Sequence, residues 1–207
     1  MPVSAALVGN GAIHDYSLIA SLIRDYNHCI AVDGGLAHCQ AMNILPDLII
    51  GDFDSISPEL LKNYAKVPTQ IFPKDKDQTD MELAIAAVQG FNVEKIALFG
   101  ALENRTDHAL SNLYLMCRFP NHIIIETERE TLFSIEGHRH VNCYPGQCIS
   151  LIPIGSSAEG VTTHGLKWEL KNATLNKNFF SLSNVCLHSF FEISIRQGNL
   201  LCCLLRI

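Results

Sequence analysis

The chain has 207 residues, of which 48% are hydrophobic and 17% charged, and a formal net charge of −6. That composition suits a globular protein of one large or two small domains and excludes a disordered or fibrous one. The acidic balance without any Lys/Arg cluster argues against nucleic acid as the main partner, and no apolar run reaches membrane-spanning length, so no membrane partner is expected. The first residues, MPVSAALVGNG, lack a basic stretch, so no signal peptide is expected. The eight cysteines (Cys29, Cys39, Cys117, Cys143, Cys148, Cys186, Cys202 and Cys203) form no CxxC, and several lie inside apolar runs. Buried free thiols in a reducing cytoplasm fit this better than a disulfide framework or a zinc site.

In chain order, residues 3–8 (VSAALV) predict a first buried strand. Gly9, Asn10 and Gly11 follow but do not extend to GxGxxG, so a dinucleotide fingerprint is not supported. Tyr16, Ile19, Ala20 and Ile23 then fall at helical spacing. Residues 29–32 predict a second strand ending in Asp33, Gly34 and Gly35, followed by a helix through Met42. Next comes the stretch that organises the chain, residues 46–58, PDLIIGDFDSISP. Leu48, Ile49 and Ile50 suit a strand buried on both faces of a parallel sheet, which Gly51 ends. Asp52 and Asp54 flank Phe53; in an extended segment such i, i+2 carboxylates would face one spot, roughly 6.6 Å apart along the chain. That spot lies past a strand's C-terminal end, where open α/β sheets bind ligands. An acidic surface loop is the plain alternative, but it needs neither the glycine nor the apolar Phe53. Ser57 and Pro58 read as a helix N-cap and first helical residue.

Residues 69–72 predict another short strand. The loop PKDKDQTDME follows, in which Thr79 and Glu82 form a capping box and Gly90 suits the position past the helix end. Asp80 lies in that helix's first turn, where it could merely complement the helix dipole. The polar run Lys76, Asp77, Gln78 and Thr79 before it makes a ligand loop the better reading. Residues 95–100 (KIALFG) predict a strand leading to ALENRTDH, with Arg105 and Asp107 in the turn before a helix, and residues 122–126 predict a last strand. Arg105 could hold phosphate bidentately or simply pair with Asp107. Alternating strands and helices up to here imply a mostly parallel sheet with helices on both faces.

From about Thr131 the helical period disappears. Short apolar segments recur at 131–135, 147–154, 166–170, 190–195 and 200–204 between turn-forming residues, and Phe191, Ile193 and Ile195 alternate with polar neighbours. This predicts an all-β sandwich, giving an α/β domain at 1–127 and a β domain at 128–207. Trp168, the one tryptophan, follows Gly165, Leu166 and Lys167, and the run FSLSNV holds Ser181, Ser183 and Asn184. A lone Trp is usually core and such a polar run usually a turn. His138 and His140 read as strand histidines. The carboxylates at strand ends suit Mg²⁺, and without a P-loop pattern any phosphate would fall to the metal, Arg105, Lys76 and helix amides.

Asp33-Gly34-Gly35, Gly51-Asp52-Phe53-Asp54-Ser55, Asp77-Gln78-Thr79-Asp80, Arg105-Thr106-Asp107-His108, Gly165-Leu166-Lys167-Trp168 and Ser181-Leu182-Ser183-Asn184 occur in this order. Together they resemble the thiamin pyrophosphokinase family along nearly the whole chain. The resemblance implies transfer of the terminal pyrophosphoryl group of ATP to the thiamin hydroxyl, giving thiamin diphosphate and AMP, by a cytoplasmic homodimer with shared active sites. It implies Mg²⁺ on Asp52, Asp54 and Asp80, nucleotide contacts from Lys76, Asp77, Gln78, Thr79 and Arg105, and Asp33 and Asp107 on the catalytic side. Trp168, Ser181, Ser183 and Asn184 would serve thiamin. The turn before Arg105 reads Glu103-Asn104 where the family often has two glycines. The rival readings are a pyrophosphokinase for another heterocyclic alcohol, such as a pterin, and a non-catalytic thiamin- or nucleotide-binding module.

Overall fold

The computed structural model describes residues 3–90 and 93–206. The chain divides into two compact units, Met1–Leu113 with Ile125–Glu128, and Tyr114–Ile124 with Arg129–Ile207.

The first unit is built on β1 (Val3–Val8), β2 (His28–Val32), β3 (Leu48–Gly51), β4 (Thr69–Ile71) and β5 (Val93–Phe99). They run parallel in the order β5-β1-β2-β3-β4. The central strands are unbroken apolar runs because both faces are covered: Ala5, Ala6, Leu7 and Val8 have no exposed surface, nor have Ile49 and Ile50. Only β4, at the sheet edge, is exposed throughout. Helix α1 (Tyr16–Ile23) starts at Asp15, whose side chain accepts from the Leu18 amide, and buries Ile19, Ala20 and Ile23. Helix α2 (Gly35–Ala41) follows β2, and α3 (Pro58–Asn63) begins at the Ser57 cap with Pro58 in its first turn. Helix α4 (Asp80–Gln89) starts from the expected capping box. Gly90, just past the end of α4, keeps a right-handed φ of −64°, so the conformational freedom expected of it is not used.

Chain order places β2, β3 and β4 successively to one side of β1, and β5 on the other. The reversal between β1 and β5 is a topological switch point, the crevice where open α/β sheets take their ligands. Helix α5 (Thr106–Arg118) follows β5, then β6 (Ile123–Glu126); the division between the units falls within both.

The second unit is a β-sandwich of antiparallel strands. It contains β7 (Glu130–Ile135), β8 (His138–Asn142), β9 (Cys148–Pro153), β10 (Ala158–His164), β11 (Ala173–Leu175), β12 (Ser181–Val185), β13 (Phe190–Ser194) and β14 (Leu200–Leu205). They pair in the orders β12-β9-β14-β7 and β11-β10-β13-β8. On and just past β13, Phe191, Ile193 and Ile195 are buried, as their alternation predicts. The apolar segment at 166–170 is not a strand: it forms a loop in which Leu166 makes a single bridge to Cys186. Strand β10, by contrast, is AEGVTTH, whose register shift against β11 breaks the period-2 signal. The expectation of free thiols is corrected for two of the eight cysteines. Cys143 and Cys186, 43 residues apart, are joined in a disulfide. Backbone bonds between Cys186 and both Gly146 and Gln147 bring their segments together, a long-range pairing that sequence spacing does not report. Cys29, Cys39, Cys117, Cys148, Cys202 and Cys203 are free.

Candidate active site

Three carboxylates converge at the C-terminal ends of adjacent strands. Asp33 follows β2, Asp52 follows β3, and Asp80 opens α4, and one carboxylate oxygen from each lies within 4.8 Å of the others. The approach is close because Gly51 lets β3 run past Asp33: a Cβ on Gly51 would lie 3.1 Å from the Asp33 Cα. Asp33 is held by its own amide, which donates to the Ile50 carbonyl at 2.7 Å. Its Oδ2 accepts from the Ser55 hydroxyl, while its Oδ1 is buried without a hydrogen-bond partner. Hard carboxylate oxygens with such an orphaned atom are what Mg²⁺ binds.

The expected facing of Asp52 and Asp54 is altered by the backbone. Residues 52–54 are not extended: Phe53 has φ +63°, and the Asp54 amide turns back to donate to Asp52 Oδ1 at 3.1 Å. The Asp54 side chain pairs instead with Lys74, 3.1 Å away, so Asp33 stands with Asp52 and Asp80 and Asp54 does not. Lys76 lies between two members of the group, its Nζ 3.2 Å from Asp52 and 3.2 Å from Asp80, and also donates to the Pro73 carbonyl. Burial alone would raise the pKa of Asp52, but the Asp54 amide and Lys76 hold it below the ordinary value. Burial pushes Asp80 up, and the Asp52 and Asp33 charges add to that against the pull of Lys76. Lys76 is raised in spite of burial, by Asp52 and Asp80.

The opposite wall is the switch point. The loop after β1 and the turn after β5 interlock: the Gly9 amide donates to Phe99 and the Gly11 amide to Gly100, both at 2.8 Å. Gly100 has φ +58°, and a Cβ there would meet the Gly9 carbonyl at 2.6 Å, so neither loop tolerates a side chain at this crossing. Between the two walls lies a cavity of about 380 Å³, to whose lining Asp33, Asp52, Asp54 and Asp80 contribute on one side and Asn10, Asn104, Arg105 and His108 on the other. Arg105 is exposed and engages Asp107 bidentately, Nε to Oδ1 at 3.1 Å and an Nη to Oδ2 at 2.6 Å. That guanidinium draws the Asp107 pKa down to about 2. Asp77 and Gln78 are exposed beside the capping box, outside the cavity lining. Asn10, Glu103, Asn104, His108 and Asn112 line the cavity without having been singled out as candidates from the sequence. The signal that could have found Asn10, Glu103 and Asn104 is their position in the two loops flanking the strand reversal; His108 and Asn112 lie on α5, which follows the second loop.

The remaining candidates lie in the second unit. Trp168 is 56% exposed, with Lys167 Nζ 4.6 Å from its ring centre, so it is not a core residue. Asn184 is buried: its Oδ1 accepts from the Trp168 amide at 3.1 Å and its Nδ2 donates to the Trp168 carbonyl at 2.8 Å. Asn184 therefore holds the tryptophan loop. Ser181 and Ser183 lie on β12, not in a turn; Ser183 has φ +53° at a register shift, its amide donating to Ser150 Oγ.

Fold and cavity define the class: a parallel α/β unit with clustered carboxylates at its switch-point crevice, followed by a β-sandwich. The family model "Thiamin pyrophosphokinase, catalytic domain" matches residues 19–126, and "Thiamin pyrophosphokinase, vitamin B1 binding domain" matches residues 122–200. The chain belongs to the thiamin pyrophosphokinase family. It is 32% identical to Thiamine pyrophosphokinase 3 of Oryza sativa subsp. japonica, over 74% of this chain and 63% of that one. It is 26% identical to Thiamine pyrophosphokinase of Bacillus subtilis, over 83% and 84% respectively. The chain thus spans less than two thirds of the length of the rice relative. The crystal structure of the Bacillus subtilis thiamine pyrophosphokinase matches its fold with a TM-score of 0.86 at 22% identity, over 99% of both chains. The yeast thiamin pyrophosphokinase structure matches at 0.86 and 17% identity, over 99% of this chain and 86% of that one. Among the described residues no helix is long and apolar enough to cross a membrane.

Proposed function

We propose that the chain is an Mg²⁺-dependent thiamin pyrophosphokinase that moves the pyrophosphoryl group of ATP to thiamin. The observation that carries this is one cavity whose lining holds both the three clustered carboxylates and Arg105, in a chain matching both domains of the family. On this reading residues 1–127 bind ATP and metal, and residues 128–207 bind thiamin. Asp33, Asp52 and Asp80 would hold Mg²⁺, with Asp54 beside them; when bound, the ion neutralises charge on the phosphates.

The chain's own groups do the rest. Lys76 and Arg105 attract the polyphosphate, and Thr79, with Asp77 and Gln78 before it, sets the start of α4 so that Asp80 faces the cavity. The exposed Trp168 face takes the thiazolium and aminopyrimidine of thiamin by stacking and cation–π attraction. The Ser181 and Ser183 hydroxyls offer hydrogen bonds, and Asn184 orients Trp168. The thiamin hydroxyl attacks the β-phosphorus, the bond to the oxygen bridging the α-phosphorus breaks, AMP leaves, and the hydroxyl proton passes to solvent. Asp107, ionised well below neutrality, is a weak proton acceptor, so its part is to orient Arg105. Alignment of hydroxyl and phosphate supplies more than a base would.

The six free thiols support a cytoplasmic location. The family resemblance supports a homodimer with shared sites. The test is product analysis with ATP, thiamin and Mg²⁺: AMP and thiamin diphosphate should form in equal amounts. ADP with thiamin monophosphate would overturn the reading.

A further inference from the structure

We infer that Glu103 and Asn104 are positioning residues, strapping the turn after β5 to the loop after β1 so that Arg105 is presented to the polyphosphate. This rests on the nucleotide reading above. An arginine on a loose turn must lose backbone and side-chain freedom when it grips an anion, and that loss weakens binding. Here the turn is fixed beforehand. Its first half is tied in the floor of the crevice, where the Gly100 carbonyl accepts from Gly11 and the Ala101 carbonyl from the buried Asn112 amide, both at 2.8 Å. Its second half, which leads directly to Arg105, is tied by side chains. Asn104 Nδ2 donates to the Asn10 carbonyl at 3.2 Å, and Glu103 Oε2 lies 2.8 Å from His14 Nε2. Asn104 sits at φ +78°, a conformation asparagine tolerates better than most side chains.

The Glu103 pairing also engages a carboxylate at the cavity. Glu103 lines the cavity, and a bare carboxylate there would repel ATP. The His14 ring engages that carboxylate and turns an obstacle into a tie. His14 is in turn held by its own amide, which donates to Glu128 Oε1 at 2.7 Å. Both partners are more than half exposed, so each tie is a small effect and the expected changes are modest.

The experiment measures ATP affinity of the full chain by titration calorimetry in Mg²⁺, with steady-state AMP release beside it. Glu103→Ala and Asn104→Gly, the latter keeping the backbone conformation and losing the amide, should each weaken ATP binding about threefold. The loss should appear in the ATP KM and not in kcat or the thiamin KM. Glu103→Gln, which can still accept from His14, should restore most of it. His14→Ala exposes the carboxylate and should be worse than Glu103→Ala, while the double variant should recover to the Glu103→Ala level. Unchanged ATP affinity in Glu103→Ala and Asn104→Gly would overturn the strap, as would equal shifts in both substrates' KM. If the unaltered chain binds no ATP, the nucleotide reading itself falls and the strap loses its purpose with it.

Discussion

At the scale of single residues, Asp52 and Asp54 invite the same substitution and should answer differently. Asp52 is a member of the carboxylate group and also faces Lys76 at 3.2 Å. Neutralising it removes a metal-type oxygen and leaves Lys76 beside Asp80 alone. Asp54 lies in the same cavity lining, but its carboxylate is about half exposed and pairs with Lys74. Asp52→Asn should therefore lower AMP release by about 10²-fold or more at saturating substrates. Asp54→Asn should cost only about tenfold and respond to added Mg²⁺, as a supporting residue would. A Mg²⁺ titration of both variants separates the two roles. If Asp54→Asn is as inactive as Asp52→Asn at every metal concentration, Asp54 belongs to the coordinating set and the observed turn must open on binding.

At the scale of elements, Glu128 fixes the entry to α1. Its Oε1 accepts from the backbone amides of His14 and Asp15, and Asp15 is the residue that caps α1. Burial alone would raise the Glu128 pKa, but its own amide and those of His14 and Asp15 hold it below the ordinary 4.5. A folded-state value below the unfolded one contributes stability that is fully present above about pH 4.5 and is lost as pH falls through the folded value. Glu128→Gln should thus be less stable than the parent by about 1 kcal/mol at neutral pH. The gap in melting temperature should shrink steadily below about pH 4.5. A gap that stays constant down to pH 3 would mean that the carboxylate charge does not hold this corner.

Elements of this kind divide what the sequence shows from what it hides. The Thr79–Glu82 box and the Ser57-Pro58 start are legible because capping is a contact between near neighbours in the chain. The buried strands are legible because parallel strands covered on both faces must be apolar throughout. The carboxylate group is only half legible. Each acid is visible at a strand end, but which three meet depends on the strand order and on Phe53 turning Asp54 away. The contribution of Glu128 to α1, from 113 residues away, leaves no local pattern at all. Nor does the tie between Cys143 and Cys186, or the hold of Asn184 on Trp168.

At the scale of the whole molecule, the question is how two units serve one reaction. The carboxylates, Lys76 and Arg105 all belong to the first unit, and Trp168, Ser181, Ser183 and Asn184 all belong to the second. On the proposed function both sets must reach the same thiamin. A homodimer with shared sites allows each second unit to serve the partner's first unit, and such an arrangement has a distinctive genetic signature. Asp52→Asn subunits should be inactive through the metal group, and Trp168→Ala subunits should fail mainly by a raised thiamin KM, since stacking is made before as well as during transfer. In a mixed dimer with shared sites, one site carries both lesions and the other neither. Co-refolding the two variants should then restore up to about half of the parental activity per heterodimer, read as AMP release at thiamin concentrations where each variant alone is silent. If heterodimers form and no activity returns, each complete site lies within one chain. If Trp168→Ala leaves the thiamin KM unchanged, its exposed ring has another use and the substrate contacts must be sought on β12 instead.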